Sequence, residues 1–416
     1  MDVDALARRF GTPLYVIDEA RLRANARAWS AALSAAWPGP TELLPSLKAN
    51  TVLALRRILN EEGLGCDCFG HNELALALHA GVPAGAISVN GATKGDDVLE
   101  LAISCGARLT LDSLDELRRA EAVAARLGLV AVVRLRLRPW LSASDAQSDF
   151  SPEPYPAHLA VHDYRAGMPQ AEAREAAALA QASTSLDLAG VHAHVSRQTT
   201  DLSFWSALGA EMTRLISELG FEPREIDLGG GFAMPRDPTA RAYRTDTGPT
   251  PTPAEYLRAV TEHLVVERPE AVTLQIEPGR ALYGDAGMHL TTVRHIKRQH
   301  EPVKRTWIET DTSEAFLADT FIEHNAWTIV GGDGPVEEAA VTGISCGWDV
   351  LAPAAPRALP APGDVLAFLD TGAYQDACAS NFNAMGRPAT VLVSGDEARV
   401  VRRAETFEDL LRREEP

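Results

Sequence analysis

Lys48, one of only four lysines in the chain, closes the apolar run ELLPSLK. A lysine in that position can form a Schiff base with an aldehyde, provided its amine is neutral and so partly desolvated. Other short apolar runs end in polar or glycine-rich groups as well: Asp67, Asn90, Asp112, Arg136, His194, Gly229–Gly231 and Glu277–Arg280. The glycines Gly229, Gly230 and Gly231 of DLGGGF let backbone N–H groups approach a phosphate closely. Arg280, directly after Gly279, adds a guanidinium fork for the same anion. Glu277 can hydrogen-bond a pyridinium nitrogen and keep it protonated, which makes the ring an electron sink. His194 offers a flat face for stacking. Each group has a plainer alternative: a bare turn for the glycines, a strand exit for EPGR, a core histidine for His194, helix caps for Asp67 and Glu73. Collected at successive strand ends, they are the parts that hold an aldehyde cofactor carrying a phosphate.

The elements that must position these groups follow from the spacing of apolar residues. Eight strand-like runs, from ELLPSLK through LGCDCFG, AISVNG, RLTLDS, LVAVVRLRLRP, LDLAGVHAHV and REIDLGGG to VTLQIEPGR, alternate with helical patterns. Leu22, Ala26, Trp29 and Leu33 carry the helical period after Asp18, a fitting N-cap. Eight such units over roughly 240 residues match a (β/α)8 barrel, whose chemistry sits at the C-terminal strand ends. An open doubly wound sheet is the alternative, disfavoured because no GxGxxG turn follows the first strand. Segment 140–168, rich in Ser, Pro and Asp, reads as a long surface loop.

Beyond about residue 283 the helical patterns thin out, and HLTTVRHIKRQ, RTWIETDT, AWTIVGG, DVLAFLD and ATVLVSG predict a mostly β second domain. PLYVID precedes the barrel and is expected to join that domain. The expected division is 25–282 for the barrel, and 1–24 plus 283–416 for the β domain. The bulk properties agree with a two-domain globular chain: 416 residues, 46% hydrophobic and 23% charged. A formal charge of -18 argues against a nucleic-acid or anionic-membrane partner. The absence of a long apolar run and of a basic, apolar leader predicts a cytoplasmic protein. Five scattered cysteines suit a reducing compartment, and Cys66-x-Cys68 lacks the partner pair of a zinc site, so no metal is expected.

From TPLYVID to RPATVLV the chain resembles the fold-type III pyridoxal-phosphate decarboxylases, the group of diaminopimelate and ornithine decarboxylases. SLKAN, HAHV, DLGGGF, EPGRAL, GDVLAFLDTGAY and SNFNAMGRP carry the resemblance, in order. It implies pyridoxal 5'-phosphate as cofactor, α-decarboxylation of an amino acid, and a head-to-tail homodimer with two composite active sites. Carried over residue by residue, Lys48 is similar to the Schiff-base lysine and His194 to the histidine stacked on the ring. Gly229–Gly231, Arg280 and Tyr374 resemble the phosphate-binding set, and Glu277 the partner of the pyridine nitrogen. Asp67, Glu73 and Arg136 match supporting polar residues. Cys346 is similar to a proton-donating cysteine, and Phe382 to an aromatic residue, both supplied by the partner subunit.

Departures from the family pattern bear on substrate. Where the family reads His-Val-Gly-Ser, this chain has His194-Val195-Ser196-Arg197, so a phosphate-binding serine is replaced or displaced, and Arg197 is the candidate for that contact. The cysteine motif, Cys346-Gly347-Trp348-Asp349, is one residue shorter and lacks the acid directly after the cysteine. SEAFLADTFIEHNAW contains no arginine where diaminopimelate decarboxylases hold a distal carboxylate, and offers Glu314, Asp319, Glu323 and His324 instead. Like charges repel, so Glu323, His324 and Asp349 are expected to face an amine-bearing or unusual amino acid rather than diaminopimelate. A racemase on the same fold and an inactive, cofactor-binding regulator are the rival readings. Glu277 argues against the first, and retention of Lys48, Glu277, Arg280, Cys346 and Tyr374 against the second.

Overall fold

The computed structural model describes residues 2–141, 156, 159, 163–234, 250–318 and 328–415. The chain divides into two compact units. One holds the described residues between Arg23 and Leu282, the other those of Met1–Leu22 and Tyr283–Pro416. Glu323 and His324 lie outside the described residues, as does most of segment 140–168. Among the described residues no helix is long and apolar enough to cross a membrane.

The first unit is a parallel barrel. Its eight strands are β2 (Thr41–Leu43), β3 (Cys66–Cys68), β4 (Ile87–Val89), β5 (Arg108–Leu111), β6 (Ala131–Arg136), β7 (Leu186–His192), β8 (Glu225–Asp227) and β9 (Thr273–Ile276), numbered after a strand β1 of the other unit. They run in the order β2-β9-β8-β7-β6-β5-β4-β3, every pair parallel. The seam between β2 and β3 is closed irregularly, because Pro45 has no N–H for a regular ladder. Gly65 N–H donates to Leu43 O, Asp67 N–H to Pro45 O, and Ser46 and Asp67 form a lone bridge. The apolar run that ends at Lys48 is therefore a short strand, an irregular link and a single 3-10 turn, Leu47–Ala49.

Helices follow the strands as the apolar period demands. Leu22, Ala26, Trp29 and Leu33, at most 3% exposed, lie on one helix, Glu19–Ala36. The helix His71–His79 follows β3, Asp96–Cys105 follows β4 and Leu114–Leu127 follows β5. The last is capped by Ser113 and ends at a left-handed Gly128. Trp205, on the helix Leu202–Ser217, stacks on Phe232 with ring centroids 4.3 Å apart, and Trp29 and Tyr256 complete the cluster. That buried aromatic group anchors the chain directly after Gly231.

The second unit is built on a nine-stranded sheet. Strand β1 (Leu14–Asp18) pairs antiparallel with β10 (Gly287–Gln299) and parallel with β16 (Ala389–Ser394). PLYVID thus belongs to this sheet. Beyond β10 come β11 (Arg305–Thr310), β13 (Val336–Thr342) and β14 (Val350–Ala358), with β12 (Ile329–Val330) and β15 (Val365–Leu369) on a branch and β17 (Glu397–Arg402) at the far edge. A barrel of eight parallel strands and a mostly β unit is the fold class the sequence predicts.

Candidate active site

Lys48 sits in the 3-10 turn at the barrel seam, its side chain 40% exposed. Its Nζ donates to Asp67 Oδ2 at 2.9 Å and to Ser46 Oγ at 2.5 Å. Ser46 Oγ in turn donates to Asp67 Oδ2 at 2.5 Å, and Asn90 Nδ2 donates to Asp67 Oδ1 at 2.7 Å. Burial alone would raise the Asp67 carboxyl. The Lys48 ammonium, with the bonds from Ser46, Lys48 and Asn90, outweighs burial and holds it down to about 2. Asp67 is therefore a fixed negative charge beside a reachable amine. Glu73 plays a local part, accepting the Phe69 N–H at 2.7 Å at the start of its helix.

Alternation along the barrel strands brings every second side chain into the lumen. Arg134 of β6 reaches Ser88 on β4, Asp227 on β8 (2.9 Å) and Gln275 on β9, strands that are not its neighbours. The lumen thus holds a polar network rather than layers of Val, Ile and Leu. Buried carboxylates in and beside it are matched by cations: Asp67 by Lys48, Asp227 by Arg134 at 2.9 Å, Asp112 by Arg136 at 3.7 Å and, on the helix after β5, Glu116 by Lys94 at 2.9 Å. Glu277 is the exception. It receives Asn90 Nδ2 on Oε1 and lies 3.4 Å from His192 Nε2, but pairs with no lysine or arginine among the described residues. His192 is no cation, since burial, with Arg136 and Arg134 nearby, pushes its pKa down to about 3 against the pull of Asp227. Burial, then Asp67, raises Glu277 to about 7. A buried carboxylate with two hydrogen-bond partners and no counter-charge is a site for a small cation, and a protonated ring nitrogen fits it.

The glycine run supplies the second half of the cradle. Gly229 N–H donates to Asp227 Oδ1 at 2.9 Å and Gly230 N–H to His194 Nδ1 at 3.0 Å. Gly229 and Gly231 have φ of 64° and 96°, in the region glycine tolerates. A Cβ on Gly230 would lie 2.3 Å from Glu277 O, and one on Gly231 2.3 Å from Ser196 O. The backbone must pass here without side chains. Because His194 Nδ1 accepts a hydrogen bond, that nitrogen carries no proton. Burial, Lys48 and Arg136 push the His194 pKa well below its usual value, leaving a neutral, partly exposed ring beside the glycines. Arg280 is buried at the start of a helical turn after Gly279. Ser196, next to Arg197, gives its hydroxyl to Gly231 O at 3.1 Å.

The rest of the expected set lies in the second unit. Cys346 is an exposed free thiol, held by Asn383, which accepts the Cys346 N–H at 3.0 Å and donates to its sulfur at 3.2 Å. Asp349 is buried, and its carboxylate accepts from Glu314 N (2.7 Å), Ser313 Oγ (3.2 Å) and Ser345 N (2.5 Å). It fixes the loop that carries Cys346. Phe382 is 48% exposed, and Tyr374 is partly buried with φ of 60°. Sequence reading passed over Arg134, His192, Asp227 and Gln275. Their signal was the alternation itself: His192 precedes His194 by two positions, Arg134 precedes Arg136, and Gln275 precedes Glu277. Lys94, another of the four lysines, is 2% exposed, with Nζ donating to Gly91 O, Thr110 O and Glu116 Oε2. It holds the barrel together and is closed to a ligand.

Residues 19–284 match the family model for the pyridoxal-binding domain of pyridoxal-dependent decarboxylases. The chain belongs to this family. It is 35% identical over 419 residues to a diaminopimelate decarboxylase of Actinosynnema pretiosum subsp. auranticum, covering 98% of this chain and 90% of that one. It is 33% identical over 415 residues to a diaminopimelate decarboxylase of Pseudomonas aeruginosa, covering 97% and 93%. The crystal structure of M. jannaschii diaminopimelate decarboxylase with L-lysine aligns with a TM-score of 0.88 at 27% identity, over 100% of this chain and 94% of that one. The protein is a pyridoxal-phosphate-dependent amino-acid decarboxylase, and the cation site at Glu277 and the glycine cradle fit that cofactor.

Proposed function

We propose that this decarboxylase acts on an amino acid whose distal end carries an amine or a conjugated group, in composite sites shared by two copies of the chain. Residues 25–282 serve as the cofactor-binding domain, and 1–24 with 283–416 as the β domain. The uncompensated Glu277 carries the cofactor part of this reading. Bound pyridoxal phosphate supplies an electron sink for the electrons left when the α-carboxylate departs as CO2. Lys48 is the residue that attaches to the aldehyde, with Asp67 as its counter-charge and orienting group. Glu277 holds the ring nitrogen protonated, which favours loss of CO2 over racemisation. Neutral His194 packs on the ring. The glycine run Gly229–Gly231, where the backbone passes without side chains, would hold the phosphate together with Gly279, Arg280, Arg197 and Tyr374.

The second copy supplies Cys346 as proton donor to the α-carbon, with Phe382 beside it. The exposure of both, and of Trp348 at 87%, supports burial against another surface. Mixing inactive Lys48→Ala and Cys346→Ala proteins should restore part of the activity, since only the mixed dimer has one intact site. No restoration would contradict the composite site.

For the distal group, the support is charge. Residues 313–327 contain Glu314, Asp319, Glu323 and His324 and neither arginine nor lysine. A second reading, diaminopimelate itself, is favoured by the names of the relatives. Release of CO2 from a panel of D and L amino acids separates the two. Ornithine, lysine, arginine or a conjugated amino acid should have the highest kcat/KM, and turnover of diaminopimelate above all others would refute the amine preference.

A further inference from the structure

The Cys346 thiol stands between two tied loops of the second unit. One is the link from β13 to β14, which Asp349 fixes. Its carboxylate accepts the Glu314 N–H at 2.7 Å and the Ser345 N–H at 2.5 Å, and its carbonyl oxygen accepts the Gly343 N–H at 2.9 Å. The other is the single turn Phe382–Ala384, beside which Asn381 Nδ2 donates to Met385 O at 2.9 Å and to Glu405 Oε2 at 2.6 Å. Asn383 joins the two loops. Its Oδ1 accepts the Cys346 N–H at 3.0 Å, and its Nδ2 donates to Cys346 Sγ at 3.2 Å.

The two bonds set each other's direction. A backbone N–H can only donate, so Cys346 N fixes the carbonyl end of the Asn383 amide and turns its NH2 end to the sulfur. The sulfur therefore accepts, and its own S–H is free to point away from Asn383 on the exposed side of Cys346. This geometry costs backbone strain, because Asn383 and Ala384 are non-glycine residues at φ of 57° and 56°. Asparagine is one of the few residues that enter that region readily. A tie between the loops needs only the bond to the Cys346 N–H. The bond to the sulfur is the part that a proton donor needs.

We propose that Asn383 is a positioning residue for the proton donor, holding Cys346 Sγ in one orientation with its S–H turned to the substrate's α-carbon. The inference rests on the reading of Cys346 as that donor. When the α-carboxylate leaves as CO2, the electron pair of the broken bond is shared between the α-carbon and the cofactor. A proton placed on the α-carbon completes the amine. A proton that reaches the cofactor's aldehyde carbon instead, followed by water, yields an aldehyde and the aminated cofactor. Amine then falls short of CO2.

The test compares amine with CO2 as the holoenzyme turns over the amino acid of highest kcat/KM in the D and L panel. Asn383→Asp keeps the acceptor for the Cys346 N–H and a residue type that tolerates the same backbone region, but sets a carboxylate oxygen against the sulfur. Wild type should release amine and CO2 in equal amounts. In Asn383→Asp the share of turnovers ending in aldehyde and aminated cofactor should rise about tenfold or more, the scale of a small misplacement of a reacting group. Iodoacetamide alkylation of Cys346 in the cofactor-free protein, followed by peptide mass, should slow about tenfold, because a carboxylate beside the sulfur disfavours the reactive thiolate. An Asn383 that merely ties the loops would lower stability or kcat/KM and leave the product ratio and the alkylation rate unmoved. Either unmoved value overturns the proposal. If Asn383→Asp does not fold, Asn383→Gly drops both bonds in a residue that accepts the same φ, and an unmoved product ratio there also overturns it. Cys346→Ala separates the two levels. Equal amine and CO2 in Cys346→Ala defeats the donor reading, whereas a shortfall of amine there with none in Asn383→Asp defeats the positioning role alone.

Discussion

Replacing Asp67 by asparagine removes the charge that anchors Lys48, and the structure sets the size of the effect. The Asp67 carboxyl is held at about 2 against an ordinary 3.8. At about 1.36 kcal/mol per pH unit, that difference is worth about 2 kcal/mol of folding stability. Because the folded-state value is the lower one, the contribution is fully present above about pH 4 and is lost as pH falls through about 2. At pH 3 about half of it remains. Thermal unfolding of the cofactor-free proteins, followed by circular dichroism, should place Asp67→Asn roughly 4–8 °C below wild type at pH 7, at about 2–4 °C per kcal/mol. The gap should narrow at pH 3. Equal melting temperatures at pH 7, or a gap that does not narrow in acid, would show that Asp67 is not ionised against Lys48 and Ser46.

Gly231→Ala puts a Cβ at φ of 96° and 2.3 Å from Ser196 O; it should weaken pyridoxal-phosphate binding by about tenfold or more, read by titration of the apoenzyme, for a cost of about 1–3 kcal/mol. Lys94→Met strands Glu116 in the barrel wall and should destabilise the fold by about 3–5 kcal/mol, yet its folded fraction should still attach the cofactor. His289, buried and bonded through Nε2 to Thr312 Oγ1 at 2.7 Å, is pushed down by burial to about 3. Its unfolded form takes up a proton below about 6.5 while the folded form does not, so wild type loses about 2 kcal/mol by pH 5. His289→Gln should melt with a shallower dependence on pH between 6.5 and 5, and an unchanged slope would contradict the buried neutral imidazole.

The barrel was legible because each of its strands is a short apolar run followed by a turn and an amphipathic helix, as at RLTLDS and LDELRRAEAVAARLG. The β unit was only half legible. VEEAAVT and VLAPAAPRA form β13 and β14, but Ala and Pro give them little strand character. Pro353 and Pro356 are tolerated because β14 is an edge of its sheet. Lys48, Asp67, Glu277 and the glycines could be read from the strand ends. The network below them could not be read from end residues alone, because Arg134, Asp227 and Gln275 take their meaning from partners across the lumen, up to 141 positions away. Asp349 shows the same limit: proximity to Cys346 suggested a substrate contact, while its carboxylate is occupied by three donors of its own unit.

Borohydride fixation of bound pyridoxal phosphate, followed by peptide mapping, tests the central claim most directly. The cofactor mass should appear on the peptide carrying Lys48 and be absent from the Lys48→Ala protein. Cofactor found on Lys94, Lys297 or Lys304, or fixed equally well without Lys48, would contradict the account.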